Sequence, residues 1–374
     1  MTSVELAMSA DGANSSHAHP ARVLIVLLGS IGDVVRALPL LKRMREGWPT
    51  AHLAWAVEPK SEPVLRGHPW LDEVIVYERR GAPWSFAPFL LKIRRGRFDL
   101  VVDLQRHLKS GVIARVSGAR DRFGFAAANV KEFNQWFSTR RIAPQPPMRL
   151  KLAQYQAFGD LLGLASGAIE FGLEPSAEGR RRAREIIGAA PRPLLGVILG
   201  SSWPSRVYFA EAIAAVIKEL AAPPEGAGGL FPILIGGPED AELAANVVRE
   251  LRETAALNLA GRTSVGELAG IFAECAAAFG PDCGPMHIAA AVGCPIVSLW
   301  GATAPERSAP WGFAEFALRG EIPCSPCYLR HCPVGRECMR RLSPALVAAT
   351  IRRALQVTGE RRGAPEIEEA SPAS

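Results

Sequence analysis

The stretch RVLIVLLGSIGDVVRALPLLKRMRE (22–46) constrains this chain more than any other part of it. Residues 23–28 are apolar without a break. A strand of that kind is buried on both faces and belongs to a parallel sheet covered by helices on either side. Gly29 and Gly32 then permit a tight turn, and Val34, Val35, Leu38, Leu41 and Met44 recur at helical spacing. Strand, glycine turn and helix in that order predict one unit of a doubly wound α/β fold. Further strands are expected at 52–57, 73–77 and 99–104.

The same grammar restarts at PLLGVILG (193–200), followed by the loop SSWPSR (201–206) and a helix from about 208 to 221. FPILIGG (231–237), LNLAGRT (257–263), AAAFG (276–280) and PIVSLWG (295–301) supply strands, with helices at 238–251 and 264–275 between them. A length of 374 residues suits two such domains. The expected division is a tail over 1–20, a first domain over 21–175, a second over 176–342, a last helix over 343–358 and a tail over 359–374.

With 48% hydrophobic and 21% charged residues the chain can bury two cores, which excludes wholesale disorder. Residues 283–305 carry no Asp, Glu, Lys or Arg, but their prolines and glycines fit a short helix, a turn and a buried strand better than a membrane span. The first twenty residues hold Glu5 and Asp11 and no Lys or Arg, unlike a signal peptide, so a cytoplasmic protein is expected.

The formal charge of +6 is uneven: residues 1–180 contribute 24 − 17 = +7 and residues 181–374 contribute 19 − 20 = −1. Eleven basic residues fall within 79–122, among them Arg79, Arg80, Arg106, Lys109 and Arg120. Such a run attracts anions: nucleic acid, an acidic membrane surface or a phosphorylated substrate. It is also what a plain solvated surface looks like. No nucleic-acid-binding motif accompanies it, so no nucleic-acid partner is expected.

Ligands of doubly wound sheets bind beyond the carboxyl ends of the strands, and four such loops stand out. In LGSIGD (28–33), Asp33 at a helix start argues against a phosphate, and an ordinary helix cap is the plain alternative. In GSSWPSR (200–206), Ser201, Ser202 and Arg206 suit a pyrophosphate, or simply a serine-capped helix. In IGGPED (235–240), Glu239 and Asp240 could accept from ribose hydroxyls or merely complement the helix dipole. In FGPDCGPMHIAAAVG (279–293), Asp282, Gly284 and His287 can face one point above the sheet, although His287 alone reads as a half-buried structural residue.

Seven cysteines are too few, and odd in number, for a disulfide scaffold. Cys324, Cys327, Cys332 and Cys338 make a C-x2-C-x4-C-x5-C run, which suits a structural zinc or iron or else free thiols.

The pieces VLIVLLGSIGDVVRALPLLKRMRE, VVDLQRHLKSG (101–111), GSSWPSRVYFAEAIAAVI (200–217), ILIGGPEDAELA (233–244), residues 259–303 and the cysteine run, in this order, resemble glycosyltransferase family 9, the lipopolysaccharide heptosyltransferases. The resemblance implies a GT-B architecture, two Rossmann-like domains facing across a cleft, with the last helix crossing back to the first domain. It implies inverting transfer of a sugar from a nucleotide donor, usually ADP-heptose, to a lipopolysaccharide core, at the cytoplasmic face of the inner membrane. The donor would meet Ser201, Ser202 and Arg206 at its pyrophosphate, Thr263 near the base, Glu239 or Asp240 at the ribose, and Asp282, Cys283, Gly284 and His287 at the pyrophosphate and sugar. Asp33 resembles the family's general base. Gly32, Arg106, Lys109 and Arg120 would face an anionic glycolipid acceptor, and no cofactor is required for the reaction.

Two positions depart from the family pattern: Arg206 stands where Lys is common, and Cys283 where Thr or Ser is common. A nucleotide-sugar epimerase of the same fold, or a non-catalytic nucleotide-sugar or glycan binder, are the alternatives.

Overall fold

The computed structural model describes residues 19–78, 86–222 and 229–363; Arg79 and Arg80, residues 1–18 of the expected leading tail and residues 364–374 of the trailing one lie outside them. The described residues form two parallel sheets. The first contains β1 (Arg22–Val26), β2 (His52–Val57), β3 (Glu73–Val76), β4 (Leu100–Asp103), β5 (Asp121–Gly124) and β6 (Arg140–Arg141), in the order β3-β2-β1-β4-β5-β6. The second contains β7 (Leu194–Ile198), β8 (Phe231–Ile235), β9 (Leu257–Asn258), β10 (Cys275–Pro281), β11 (Ile296–Trp300) and β12 (Ala317–Arg319), in the order β12-β11-β10-β7-β8-β9. The second sheet repeats the strand order of the first. Each reverses direction next to its opening strand, between β1 and β4 and between β7 and β10, where doubly wound sheets leave a crevice for ligand.

The apolar run behaves as its composition demands. Val23, Ile25 and Leu27 pack into one core and Leu24, Val26 and Leu28 into the other, so both faces of β1 are dry. The strands that sequence reasoning missed, β5, β6 and β12, read DRFG, RR and ALR. They carry no apolar run and form by pairing onto the strand beside them.

Helices return the chain from one edge of a parallel sheet to the other, and this divides the basic run. Arg106 and Lys109 follow β4, at the carboxyl edge that carries Asp33. Arg94 and Arg95 end the helix Phe86–Arg95 before β4, and Arg115 and Arg120 precede β5, all at the opposite edge. The run is contiguous in sequence but not in space, and Arg120 does not join the cleft.

The last helix, Pro344–Gly363, packs on β10, β11 and the helix Ala210–Ala221, burying Val347, Ala348, Ile351 and Ala354. It covers the second sheet, and it extends through residues 359–363, where a tail was expected. The first domain is joined to the second by a different contact: the helix Ile31–Gly47 meets the helix Gly284–Ala291 end to end across the cleft. Among the described residues no helix is long and apolar enough to cross a membrane, and residues 284–300 form a helix, a turn and β11 as expected.

Candidate active site

Both helices that meet across the cleft begin at the carboxyl edge of a sheet, and each carries a glycine in its first turn where a Cβ would crowd the other domain. A Cβ on Gly32 would lie 2.6 Å from Cδ2 of His287, and one on Gly284 would lie 2.7 Å from Cβ of Ile31. These two residues let the domains close until their functional loops share walls.

One cavity lies mostly on the second domain. Its apolar side is made by Ile198, Ile235, Val265 and Leu268, and its polar side by Ser201, Ser202, Glu239, Asp240 and Thr263. The Gly237 N–H donates to Oδ2 of Asp240 at 2.9 Å, which fixes that carboxylate at the rim. Burial pushes its carboxyl above the usual range. Lys60, from the first domain, reaches the same cavity and its charge acts on Asp240, a cross-domain contact that sequence reasoning did not foresee.

The adjoining cavity holds Asp33, Arg36 and Lys151 from the first domain and Arg206, Asp282, Cys283, Gly284 and His287 from the second. Asp33 Oδ1 accepts from Arg36 Nη2 at 2.7 Å, Lys151 Nζ at 2.6 Å and the Tyr155 hydroxyl at 3.5 Å. Among the described residues Oδ2 accepts only from the Ser30 hydroxyl, at 3.0 Å. One oxygen is therefore saturated, while the other has room for an incoming hydroxyl. Burial alone would raise the Asp33 carboxyl, but the Lys151 and Arg36 charges outweigh it and hold it far below the usual carboxylate range. The helix cap is Ser30 and not Asp33: the Ser30 hydroxyl accepts from the Asp33 N–H at 3.4 Å, and that cap needs neither cation.

His287 is not the cation its position suggests. Its Nε2 lies 2.5 Å from Arg36 Nη1 and accepts from that guanidinium, so the ring proton is on Nδ1. Burial first, and then the Arg36 charge, hold it well below 6.5. It therefore orients Arg36 across the domain boundary. Asp282 is likewise occupied: it accepts from Arg206 at 3.1 Å and from the Thr303 hydroxyl at 2.7 Å. It positions Arg206, whose guanidinium also stacks 4.0 Å over Trp203. Ser201 is turned inward, donating to the Asp282 carbonyl at 2.9 Å. Cys283 stands at the N-cap of Gly284–Ala291, and burial pushes its thiol up to about 12, so it stays neutral.

The balance of charge favours an anion. Arg36, Lys151, Arg206 and Arg307 face Asp33 and Asp282, and the buried Nε–H groups of Arg206 and Arg307 have no partner among the described residues. The N–H groups at the start of Gly284–Ala291 add to the same field. Arg206→Ala should therefore raise the KM for an anionic substrate and lower turnover by about 10²–10³-fold, as loss of one transition-state donor does; steady-state kinetics check this.

Of the expected acceptor residues, Gly32 lines this cavity. Arg106 stacks 4.0 Å over Phe125, donates to Gln154, and lies close enough to Asp33 and Arg307 for their charges to act on it. Lys109 lies over the Tyr77 ring, further along the edge.

Cys324, Cys327 and Cys332 lie near enough to Cys338 for their charges to act on its thiol. Cys324 is exposed, Cys338 is buried against Gly301, and Cys332 accepts from the Arg336 N–H at 3.2 Å. Among the described residues no three His, Cys, Asp or Glu side chains form a group that could hold a metal ion. Their loop braces the site: the Leu329 carbonyl accepts from Ser205 at 2.6 Å, and Tyr328 lines the second cavity.

This arrangement has relatives. Residues 88–337 match the model of glycosyltransferase family 9 (heptosyltransferase). The chain is 26% identical over 356 residues to lipopolysaccharide heptosyltransferase 1 of Pseudomonas aeruginosa, covering 88% of this chain and 97% of that one. Among solved structures, a family 9 glycosyltransferase from Veillonella parvula superposes with a TM-score of 0.75 at 23% identity, over 90% of this chain and 97% of that one. The ADP-heptose lipopolysaccharide heptosyltransferase II of E. coli does so with a TM-score of 0.70 at 19% identity, over 90% and 99%. With two Rossmann-like domains facing across a cleft and a family match over most of its length, the chain belongs to glycosyltransferase family 9, the heptosyltransferases.

Proposed function

We propose that this enzyme transfers heptose, with inversion, from ADP-heptose to an anionic acceptor of the lipopolysaccharide-core type, with Asp33 as general base. One observation carries the reading: Asp33 from the first domain and Arg206, Gly284 and Arg307 from the second line a single cavity beside the one formed by Ser201, Glu239, Asp240 and Thr263. The E. coli relative supports the donor, being an ADP-heptose enzyme by name.

The base of the donor would enter the apolar side of the first cavity, its ribose hydroxyls donating to Asp240 or Glu239, with Thr263 nearby. The diphosphate would rest on the start of Gly284–Ala291 and on Arg206. As the bond from the anomeric carbon to the diphosphate oxygen breaks, negative charge grows on the leaving group. Arg206, Arg307 and the helix N–H groups meet it. The acceptor hydroxyl attacks from the opposite face and becomes acidic as its new bond forms. Its proton passes to Oδ2 of Asp33, the oxygen with a free position. Even a carboxylate of depressed pKa takes a proton from an oxygen that is becoming an oxonium. ADP leaves and the acceptor has gained one heptose.

Lys151 tunes this base. With its charge gone, burial opposes ionisation with less to counter it, so the Asp33 pKa must rise. The acid limb of kcat/KM against pH is expected to move upward in Lys151→Met; a limb that stays in place separates Lys151 from the base.

The direct experiment pairs ADP-heptose with a heptose-free lipopolysaccharide-core fragment and weighs the acceptor. A gain of one heptose supports the reading. Change in the donor without acceptor indicates an epimerase, and tight donor binding without transfer indicates a non-catalytic binder.

A further inference from the structure

The carboxyl edge of the first domain exposes an aromatic pair that the catalytic cleft does not use. Phe133 is 61% and Trp136 is 73% exposed, their rings stacked with centroids 4.7 Å apart. Leu108, also exposed, belongs to the same corner, because its N–H donates to Glu132 at 3.1 Å. Large apolar side chains grouped in water mark an interaction surface.

The corner is built to present them. Glu132 and Phe133 both hold positive φ, at 56° and 60°, a strained conformation for a non-glycine residue. What imposes it is the residue next in sequence. Asn134 is fully buried and donates to Asp103 Oδ2 at 2.9 Å and to the His107 carbonyl at 2.9 Å. Asp103 also accepts from Ser110 at 2.9 Å and from the Gln105 N–H at 2.9 Å. This anchor pulls the chain inward at Asn134 and leaves Phe133 and Trp136 outside.

Cations surround the pair. Lys131 and Arg141 are exposed, and Arg141 donates to the Gln135 carbonyl at 2.6 Å, which places its guanidinium beside the tip. Arg140 precedes it on the same short strand. Of the acidic neighbours, Glu132 is already engaged by Leu108 and His107, and Asp121 pairs with Arg140 at 3.9 Å. Tryptophan and phenylalanine at the tip with Lys and Arg around it suit the interfacial layer of an anionic bilayer. The Lys131 N–H donates to the carbonyl of Arg106, so the tip is continuous with the acceptor side of the cleft.

We propose that the Phe133–Trp136 corner docks on an anionic lipid surface and sets the mouth of the cleft against it. The proposal rests on the glycolipid-acceptor reading above for its purpose, but not for its test. The full-length enzyme is mixed with vesicles of zwitterionic lipid alone or with added phosphatidylglycerol, and partition is measured by co-flotation. Phe133→Ser/Trp136→Ser serves as the comparison. Binding to the anionic vesicles that falls at least about tenfold in the double variant, and that weakens with salt, is expected. No vesicle binding, or equal binding by the variant, overturns the proposal. So does a concentration-dependent dimer, seen by sedimentation, that the variant abolishes. Transfer to a water-soluble core fragment is expected to be unchanged in the variant. Failure of that transfer in the unmodified enzyme would count against the functional reading, leaving the vesicle result to stand by itself.

Discussion

Replacing Asp33 by Asn is expected to lower turnover by about 10²–10⁴-fold while leaving ADP-heptose binding within about twofold of normal. The amide keeps the shape of the carboxyl and cannot take the acceptor's proton. A second effect must be separated from this one. Asp33 is the counter-ion of Arg36 and Lys151, whose side chains are only 8% and 24% exposed. Removing it strands both, and breaking a buried pair costs about 3–5 kcal/mol. Partial exposure reduces that figure here. Asp33→Asn should therefore melt earlier as well as turn over slowly. The double variant Asp33→Asn/Lys151→Met removes the stranded ammonium, so it should recover much of the melting temperature and none of the turnover. If turnover returns with stability, Asp33 is a structural counter-ion and not the base.

The pH dependence of stability has the matching sign. The Asp33 carboxyl sits below its unfolded value of 3.8, so its contribution is complete above that pH and is lost as the pH falls toward the depressed folded value. Acid unfolding monitored by circular dichroism should begin at higher pH in Lys151→Met than in the unmodified enzyme, because part of that depression is gone.

How much of this was readable beforehand depends on how locally each feature is encoded. β1, its glycine turn and Asp33 follow one another within twelve residues, and apolar periodicity alone places them. The partners of Asp33 differ in this respect. Arg36 sits three residues on along the same helix, a spacing that predicts an ion pair, and it was overlooked beside the glycines. Lys151 lies 118 positions away, beyond a proline-rich loop, on a helix whose amphipathic signal is weak. No local pattern could attach it to the site. The basic run 79–122 misled for the opposite reason: it is contiguous in sequence, and the alternation of strand and helix sends half of it to the far edge. The state of His287 was equally out of reach, since its neutrality comes from burial and then from Arg36 in the other domain.

Closure of the two domains should prove as sensitive to one methyl group as the chemistry is to one proton. Gly284 lies at the first turn of its helix with Ile31 directly opposite, and Gly32 N is 3.4 Å from where a Cβ would stand. Both sides of this contact are helix starts anchored to sheets, so neither can yield without moving its domain. Gly284→Ala is expected to cut kcat/KM by about 10²-fold, the cost of roughly 1 Å of misplacement between reacting groups. Nucleotide binding, which the proposed donor site puts mainly on the second domain, should survive. The clash is with the Cβ of Ile31 itself, so Gly284→Ala/Ile31→Ala should remain impaired, whereas Gly284→Ala/Ile31→Gly should regain activity despite the loss of a buried side chain. Gly32→Ala meets a side-chain atom instead, and His287→Ala should relieve it sterically while releasing Arg36 from its anchor. Small-angle scattering should show the radius of gyration of Gly284→Ala increased in the presence of ADP and restored in the Ile31→Gly double variant. Equal activity in Gly284→Ala and the unmodified enzyme would mean that the cleft works without this close approach, and that Asp33 reaches the donor by another route.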